Sequence, residues 1–364
     1  MIRKLLRSGK PFAIYNLPGE CVSENIVQAD KFPAQVILPD HSLSSGFYFM
    51  PFSDSKTIHG YRIRPDFVFT GDQVPEDLNL FENETSDYGW NDVQIPVFTK
   101  DEYLKKILQI KKAIQNGTVE KVVLSRPVRI PLPVDFDPEG FYKAIQKSFP
   151  DLFSFFVHIP GVVSWAGATP ELLAGKENQS LILSALAGTQ SGLNRGDRVS
   201  WPDKEQYEHA LVGQHILEMV RESGFPVPEQ TKTETIWSGS LAHLRTIYRI
   251  PFPRGKGVFE KLICRLHPTP AVGGYPKQVA LAMIRLVEGY DRGYYSGFLG
   301  PWNIGKTSEL FVNLRSVQIT GTSLIIYAGG GITAGSDPEM EWEETEQKAQ
   351  AMLSVLEKMT NFNG

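Results

Sequence analysis

The stretch that decides the fold is LFSFFVHIPGVVSWAGATPELLAGKENQSLILSALAGT, residues 152–189. Three apolar runs within it, LFSFFVHI, VVSWAGA and LILSALAGT, are rich in the β-branched, aromatic and aliphatic residues of buried strands. The pair Pro160-Gly161 and the polar segment 175–179 supply turn residues between the runs. Because short turns join antiparallel neighbours, this segment predicts an antiparallel meander.

Helices are predicted on both sides of this meander by capping residues and apolar spacing. Thr99 and Glu102 form a capping box, and Gly117 is suited to end the helix that they begin. The apolar residues on one face of this helix are Leu104, Ile107, Leu108 and Ile114. Further helices are predicted from Asp137 onward and at 201–222, 257–266, 276–289 and 337–359.

Strands are predicted elsewhere from β-branched and alternating runs. KVVLSRPVRI at 121–130 is one, and ELFVNLRSVQI and SLIIYAG within 294–327 are two more. Residues 1–98 carry short apolar runs, such as AQVIL and FVFTG, which are typical of short strands joined by loops. The pattern predicts an α+β fold, in which helices pack on large antiparallel sheets. No linker is visible in 99–364, so one large domain is expected, with 1–98 as its N-terminal part.

Composition excludes several classes of protein. The 364 residues are 41% hydrophobic and 21% charged, which allows a large core and excludes a mainly disordered chain. Lys and Arg number 37 against 41 Asp and Glu, and this balance argues against nucleic-acid binding. No apolar run approaches the roughly 20 residues of a membrane span, and no signal peptide is predicted. Two cysteines, Cys21 and Cys264, make a disulfide framework unlikely, and a cytoplasmic location is expected.

Two predicted helix starts each carry a pair of acidic residues three positions apart. The first follows a predicted N-cap box in SWPD at 200–203 and contains Glu205 and Glu208. On a period of 3.6 residues both share the face of Val212 and Ile216, so both carboxylates should point inward. An inward carboxylate must find a partner.

The second pair, Glu341 and Glu344, follows a predicted Ser336–Glu339 capping box and shares a stripe with Lys348. Two such pairs could converge on one hard cation, and carboxylate oxygens with remaining waters are what Mg²⁺ prefers. The alternative is structural, because the helix dipole favours acidic residues in a first turn and Glu344–Lys348 is an ordinary i,i+4 pair. The residues alone favour the structural interpretation for the last helix.

Two single residues are candidates for proton transfer. Lys121 opens a predicted strand and shares a face with Val123 and Ser125, so a buried face would desolvate its ammonium and suit a general base. Glu171 follows Pro170 at a strand end, where an apolar setting would raise its pKa and suit an acid. For each the commoner alternative is a residue that reaches solvent.

The glycine-rich segment AGGGITAGS at 328–336 follows a predicted strand and precedes a predicted helix. It satisfies G-x-G-x-x-[GA], but no second parallel strand follows, so a dinucleotide-binding unit is excluded. Its backbone amides are expected to form a site for a carboxylate or another anion. No G-x-S-x-G motif is present, and His243 is either a site residue or a core histidine.

Ten segments, in order along residues 121–350, resemble those of the chorismate-utilising enzymes. This family includes isochorismate synthase, salicylate synthase and the synthase subunits for anthranilate and aminodeoxychorismate. The segments are KVVLSR (121–126), GATPELL (167–173), LAGT (186–189), KEQYEH (204–209), LAHL (241–244), LHPTPAVGG (266–274), YYSG (294–297), FVNLR (311–315), YAGGGI (327–332) and EWEETEQK (341–348). The resemblance implies the fold of anthranilate synthase component I, with a chorismate-binding catalytic core over 99–364 and a variable part over 1–98.

The resemblance also implies a role for each matching site residue. Glu208 and Glu344 would hold Mg²⁺, with Glu205 and Glu341 behind them, and the cation would bind the ring carboxylate of chorismate. The residues implied to line the metal end are Lys348 and His243. The residues implied to contact the rest of the substrate are Tyr295, Arg315, the backbone of Gly329 and Gly331, and Ala187, Gly188 and Thr189. An arginine suits a carboxylate because its guanidinium binds with two parallel hydrogen bonds.

Two positions separate the branches of the family. Amine-adding members have Gln where this chain has Lys121, and they rely on a glutaminase partner. The aminodeoxychorismate branch has a lysine where this chain has Ala187. The resemblance therefore implies water as nucleophile: Lys121 would deprotonate it for attack at ring C2, and Glu171 would protonate the departing C4 hydroxyl.

Three functions stay open at this point. Isochorismate synthase, feeding menaquinone or a siderophore, is the first, and RGYYSGFLG at 292–300 resembles the menaquinone type. Salicylate synthase, which also eliminates pyruvate, is the alternative. A non-catalytic anion-binding subunit of the same fold is the third, and the intact Lys121, Glu171, Glu208 and Glu344 argue against it. The expected partner is chorismate alone, with no nucleic acid, membrane or glutaminase subunit, and the chain is expected to be a monomer.

Overall fold

The computed structural model describes residues 1–78, 88–190, 197–238 and 241–360. The helices within these ranges are α1 (Ile2–Ser8), α2 (Lys100–Gln115), α3 (Pro138–Ser148), α4 (Asp203–Glu222), α5 (Val258–Leu266), α6 (Lys277–Glu288) and α7 (Pro338–Thr360). The strands are β1 (Phe12–Asn16), β2 (Glu24–Val27), β3 (Ala34–Leu38), β4 (Gly46–Met50), β5 (Ile58–Ile63), β6 (Phe67–Thr70), β7 (Lys121–Pro131), β8 (Phe153–Ile159), β9 (Val163–Thr169), β10 (Leu172–Glu177), β11 (Ser180–Gln190), β12 (Glu229–Gln230), β13 (Glu234–Ser238), β14 (Leu241–Pro251), β15 (Gly274–Tyr275), β16 (Phe298–Trp302), β17 (Glu309–Val312), β18 (Ser316–Ile319) and β19 (Ser323–Ile332).

The strands form two large antiparallel sheets. The first has the order β15-β7-β19-β18-β9-β8-β1-β2-β6, and the second has the order β12-β14-β11-β10-β17-β16-β4-β5-β3, with β13 also paired to β14. Aromatic residues fill the space between the sheets: Phe153, Phe155 and Trp165 come from the first, and Phe49 and Phe311 from the second. Helices α3 and α7 pack on the outer face of the first sheet, and α4 and α5 pack on the second. The predicted α+β fold is confirmed.

The N-terminal segment contributes to both sheets. Strands β1, β2 and β6 extend the first sheet through the pairing of β1 with β8. Strands β3, β4 and β5 extend the second through the pairing of β4 with β16. The short strands predicted for 1–98 are thus present, and α1 is an element that the sequence analysis did not predict.

The meander predicted for 152–189 is wrong in one respect. Strands β8 and β9 are neighbours in the first sheet, but the chain then crosses to the second sheet, where β10 and β11 pair. The crossing lies at Pro170 and Glu171, and β10 was read as part of a turn. Both halves of the segment are buried, so apolar pattern alone does not separate neighbours in one sheet from strands in two packed sheets.

The predicted helices agree with the structure to within about two residues at the ends that were predicted, but two of their caps differ. Helix α2 has the predicted Thr99–Glu102 capping box, although Leu108 on its predicted apolar face is exposed. The predicted cap in SWPD is wrong, because Pro202 is the N-cap of α4 and no side chain caps it. The predicted Ser336–Glu339 box is also wrong, because Asp337 accepts the hydrogen bonds from the amides at the start of α7.

The glycine-rich segment is strand rather than loop over its first part. Gly329, Gly330 and Gly331 lie inside β19 and pair with Ser125, Leu124 and Val123 of β7 in sequence order. The prediction of a glycine loop is therefore wrong, since backbone pairing with β7 outweighs the low strand propensity of glycine. In the part of the chain that the structure describes, no helix has the length and apolar character to cross a membrane.

Candidate active site

Lys121 is the first residue of β7 and is fully buried. Its ammonium lies 2.8 Å from Glu208 Oε1, which comes from α4. Tyr275 of β15 pairs with Lys121 at the edge of the first sheet. The alternative of a strand-end lysine that reaches solvent is therefore excluded.

Glu171 lies at the crossing between the two sheets and is 2% exposed. Burial raises the pKa of its carboxyl to about 8, and the charge of Lys121 and a hydrogen bond from Thr269 oppose this increase. Thr269 Oγ1 donates to Glu171 Oε1 at 3.4 Å. The group is therefore mostly protonated at neutral pH and can donate a proton, as the apolar setting predicted.

The two acidic pairs lie in one cluster, and the inward face predicted for Glu205 and Glu208 is confirmed. For Glu341 and Glu344 the residues alone favoured the structural interpretation. Lys204 bridges the helices: its ammonium lies 3.3 Å from Glu205 Oε1 of α4 and 2.8 Å from Glu341 Oε1 of α7. Glu205 Oε2 also accepts the amide of Thr189 at 2.8 Å. On α7, Lys348 lies 2.6 Å from Glu344 Oε1 and donates to the carbonyl of Gly329 at 2.8 Å.

The four carboxylates of this cluster, Glu205, Glu208, Glu341 and Glu344, repel one another. Burial and Glu344 raise the pKa of Glu341 to about 7, and burial and Glu208 raise the pKa of Glu205. Burial also acts to raise the pKa of Glu208, but Lys121 and Lys204 outweigh it and hold this pKa below its usual value. The cluster therefore needs positive charge.

The glycines of β19 let the acidic helices approach the sheet. A Cβ at Gly331 would overlap Glu208 Oε1 and lie 2.9 Å from Lys121 Cε. A Cβ at Gly330 would lie 3.0 Å from Glu341 Oε2. A side chain here would thus occupy the space in which the lysine and the carboxylates meet.

Arg315 is a buried cation without an ion pair among the described residues. Its Nη1 donates to the Ser238 carbonyl at 2.9 Å and to the Ser238 hydroxyl, and its Nη2 lies 2.6 Å from His243 Nε2. His243 Nδ1 donates to the Gly188 carbonyl at 3.0 Å, so Nε2 accepts the bond from Arg315. Burial lowers the pKa of Arg315 to about 10. A substrate carboxylate would supply its missing counter-charge.

A cavity of about 90 Å³ joins most of these groups. The predicted site residues that line it are Glu171, Ala187, Gly188, Thr189, Glu208, His243, Tyr295, Arg315, Gly329 and Lys348. The predicted residues behind this lining are Lys121, Glu205, Gly331, Glu341 and Glu344, each in contact with the cluster described above. His243 contacts Arg315 rather than any of the four glutamates, which differs from its predicted place at the metal end.

Three contact residues of the site were missed by the sequence analysis. They are Lys204, Ser238 and Thr269, the partners of the acidic cluster, Arg315 and Glu171. The contact of Lys204 could have been inferred, because this residue directly precedes Glu205 and four inward carboxylates require a cation. No local sequence pattern identifies Ser238 or Thr269 as contact residues, apart from their positions near LAHL and within LHPTPAVGG.

A larger cleft, of about 1070 Å³, lies on the other side of α4. His209, Gly213 and Tyr248 are among its lining residues. None of the candidate catalytic or metal residues lines it. Size alone therefore does not identify the site, which is defined by its titratable groups.

The acidic cluster fits a hard divalent cation. Glu341 Oε2 is buried without a hydrogen-bond partner, and carboxylate oxygens are the donors that Mg²⁺ prefers. Within residues 1–78, 88–190, 197–238 and 241–360, no three acidic, histidine or cysteine side chains surround one point. Mg²⁺ does not need such a cage, because it keeps several waters and binds through one or two carboxylates.

Comparison with known proteins agrees with this geometry. Residues 76–357 match the family model described as chorismate binding enzyme. Isochorismate synthase DhbC of Bacillus subtilis (strain 168) is 28% identical over 279 residues, which cover 72% of this chain and 69% of the relative. Isochorismate synthase EntC of Escherichia coli (strain K12) is 32% identical over 249 residues, which cover 65% of this chain and 62% of the relative.

The fold has solved counterparts as well. A crystal structure assigned as the 2,3-dihydroxybenzoate-specific isochorismate synthase DhbC of Bacillus anthracis superposes with a TM-score of 0.77 at 22% identity. The alignment covers 98% of this chain and 99% of that one. With a family model that matches most of the sequence, the conclusion is that this chain belongs to the family of chorismate-binding enzymes.

Proposed function

We propose that this protein is an isochorismate synthase, which converts chorismate to isochorismate. The observation that carries the proposal is the placement of a buried lysine, Lys121, and a buried carboxyl with a raised pKa, Glu171, beside an acidic cluster and an arginine that has no ion pair among the described residues. Lys121 in place of the glutamine of amine-adding relatives supports water as the nucleophile. The names of the relatives are consistent with this choice.

In this reaction Lys121 would act as the base and Glu171 as the acid. Lys121, as the neutral amine, would take a proton from water while the oxygen of that water forms a bond to ring C2. The ring double bonds would shift, the C4–O bond would break, and Glu171 would deliver its proton to the departing hydroxyl. One water enters and one leaves, so the net change is an isomerisation.

The substrate's two carboxylates would be held at separate positions. Arg315, whose guanidinium has no acidic partner among the described residues, and Tyr295 would take the enolpyruvyl carboxylate. Glu208 and Glu344 would hold Mg²⁺ against the ring carboxylate, with Glu205 and Glu341 behind them. When bound, Mg²⁺ would neutralise that carboxylate and stabilise charge as the double bonds shift.

One assay tests the activity. The protein is incubated with chorismate and Mg²⁺, and the products are separated by chromatography while pyruvate is measured by a coupled reduction. Isochorismate without pyruvate is expected. Salicylate with pyruvate would instead identify a salicylate synthase, an amino product with added ammonium would reverse the interpretation of Lys121, and no turnover would contradict the proposal.

The metal is tested with matched glutamate variants of α4 and α7. EDTA should abolish conversion, and Mg²⁺ should restore it. Glu208→Gln and Glu344→Gln should weaken Mg²⁺ binding measured by calorimetry, whereas Glu222→Gln, an exposed position on α4, should not. Full activity of a metal-free preparation would contradict the assignment of both carboxylates.

We further propose that the enzyme acts in the cytoplasm as a monomer and without a glutaminase subunit. Water is the solvent, so no partner is needed to supply this nucleophile. Size-exclusion chromatography with light scattering measures the oligomeric state, and full activity of the purified chain alone would agree with the absence of a subunit.

A further inference from the structure

A fully buried ion pair lies beside the candidate active site and has no part in the chemistry proposed above. Glu288, the last residue of α6, and Arg292 are 0% and 1% exposed in their side chains. Arg292 Nε donates to Glu288 Oε2 at 2.8 Å, and Arg292 Nη2 donates to Glu288 Oε1 at 2.6 Å. The pair is thus bidentate and shielded from water.

The remaining polar atoms of the pair bind backbone in two other segments. Arg292 Nη2 also donates to the Val123 carbonyl at 2.7 Å, and Nη1 donates to the Val272 carbonyl at 2.8 Å. Glu288 Oε1 accepts the amide of Ser125 at 2.6 Å and its hydroxyl at 2.8 Å. The pair therefore links α6, strand β7 and the loop that contains Val272.

These contacts connect the proposed base with the proposed acid. Val123 lies two residues after Lys121 in β7, and its amide donates to the Gly273 carbonyl at 2.8 Å. In the same loop, the amides of Val272 and Gly273 donate to the Thr269 carbonyl at 3.1 and 2.8 Å. Thr269 in turn donates to Glu171. A continuous series of hydrogen bonds thus runs from β7 through Arg292 to the carboxyl of Glu171.

A buried ion pair of this kind is poorly explained by stability alone. Desolvation of two charges offsets most of their attraction, and apolar residues of similar volume often replace such pairs without loss of stability. What the pair does supply is directional hydrogen bonding, which fixes the relative positions of segments that belong to different elements. The segments fixed here carry the two groups that must act on one substrate.

We propose that Glu288 and Arg292 are positioning residues, which hold Lys121 and Glu171 at the separation that proton transfer requires. This inference rests on the proposed isochorismate synthase function. It predicts that the pair controls turnover more than substrate binding, because its side chains donate no hydrogen bond to Arg315, the acidic cluster or Tyr295. The Tyr295 ring lies 6.0 Å from the Arg292 guanidinium, and this is the pair's contact with the residues that would hold the substrate.

The test separates turnover from stability. In Glu288→Leu/Arg292→Met, the Val123 and Val272 carbonyls and the Ser125 amide lose these partners, so the melting temperature should fall, and kcat is measured at temperatures where the variant is folded. Its kcat for chorismate under those conditions should fall about 10²-fold, the usual cost of a small misplacement of reacting groups, with KM and Mg²⁺ affinity changed less than about threefold. Arg292→Lys keeps the charge but loses the bidentate geometry, and its kcat should fall by an intermediate amount.

Two controls complete the experiment. Ile145→Ala, in the apolar core under α3, should lower the melting temperature and leave kcat unchanged at temperatures where the variant is folded. Thr269→Val combined with Arg292→Lys should lower kcat by less than the product of the single effects, because both act on one series of contacts.

The outcomes distinguish this inference from the proposed function. Wild-type kcat in the double variant, or in Arg292→Lys if the double variant does not fold, would overturn the positioning role while leaving the activity intact. A decrease in kcat that is no larger than the decrease in the folded fraction of the variant would also overturn the positioning role. If the wild-type protein does not convert chorismate, the proposed function fails and this role fails with it.

Discussion

Glu171 illustrates how the environment of one residue sets its chemistry. Its carboxyl is buried, and burial raises its pKa to about 8, so it carries a proton at neutral pH. A general acid acts only while protonated, so kcat/KM for chorismate should decrease above about pH 8, approaching tenfold per pH unit. Steady-state kinetics between pH 6 and 10 measure this limb.

Glu171→Gln tests the same residue directly. Glutamine keeps the shape and one hydrogen bond but has no proton to deliver at neutral pH. We expect kcat to fall by about 10²–10⁴-fold, with KM nearly unchanged and the alkaline limb above pH 8 lost from the residual activity. Near-normal turnover would mean that another group is the acid.

Residues in the site were predictable where their neighbours in sequence carried a signal. Lys121, Glu171 and Arg315 lie in segments that resemble the family, and α-helical periodicity correctly placed Glu205 and Glu208 inward. Contacts between distant segments were not predictable. Thr269 reaches Glu171 across 98 residues and Ser238 reaches Arg315 across 77, and such pairs follow from the topology rather than from local pattern.

At the level of elements, strand β19 has a role that its amino-acid composition does not indicate. Glycines favour turns, so the segment at 329–331 was predicted as a loop, yet they form a strand that leaves room for the carboxylates of α4 and α7. The role of these glycines therefore depends on contacts among two helices and a strand. The local sequence of a single element does not contain that information.

Gly331→Ala tests this explanation. The new Cβ would overlap Glu208 Oε1 and lie 2.9 Å from Lys121 Cε, both on side chains that can shift, so the fold should be retained. Because the shift moves the proposed base, we expect kcat to fall by about 10²-fold with a melting temperature within a few degrees. Gly335→Ala, which has no atom within 4 Å of its added Cβ, is the matched control and should be fully active.

The acidic helices also make the stability of the metal-free protein depend on pH. The pKa of Glu341 is raised to about 7, so between about pH 4.5 and 7 the folded protein binds more protons here than the unfolded chain. Stability contributed by this group therefore decreases as pH rises through that window. In EDTA, Glu341→Gln should stabilise the protein above pH 7, by on the order of 1–3 kcal/mol.

Urea unfolding at pH 5.5 and 8.5 measures this effect. Glu339→Gln, at an exposed position of the same helix, should behave as the wild type at both values. Saturating Mg²⁺ should reverse the sign, because the ion stabilises the ionised carboxylates, and Glu341→Gln should then be no more stable than the wild type. Equal stability of the variant and the wild type in EDTA would show that Lys204 already neutralises the cluster.

At the scale of the whole molecule, the site lies where the chain passes from one sheet to the other. Glu171 occupies that crossing, Lys121 belongs to the first sheet, and His243 belongs to the second. The crossing could not be predicted from the apolar pattern, because both sheets bury the strands that flank it. Helices α2 to α7, the strand content and the sheet class were predictable, since each depends on local spacing.

The assembled site contains a buried cation without a counter-charge and a buried carboxylate oxygen without a hydrogen-bond partner, and ligands that supply these partners should stabilise the whole protein. Arg315 has no acidic partner among the described residues, and Glu341 Oε2 has no hydrogen-bond partner. Mg²⁺ and chorismate should therefore each stabilise the fold, by about 2.7 kcal/mol for a ligand present at 100 times its Kd. For a chain of this size we expect each such ligand to increase Tm by roughly 3–5 °C.

Arg315→Ala separates the two contributions to this stabilisation. The variant keeps the acidic cluster, so Mg²⁺ alone should raise its Tm as it does for the wild type. The further increase on adding chorismate should be largely lost, because the guanidinium that would pair with a substrate carboxylate is gone, and KM should rise more than kcat falls. Arg245→Ala, which removes a partly exposed arginine from β14, should respond to both ligands as the wild type does. If Arg315→Ala gained the full chorismate increment in differential scanning fluorimetry, the carboxylate of the substrate would have to bind elsewhere, and the buried arginine would serve only to join Ser238 to His243.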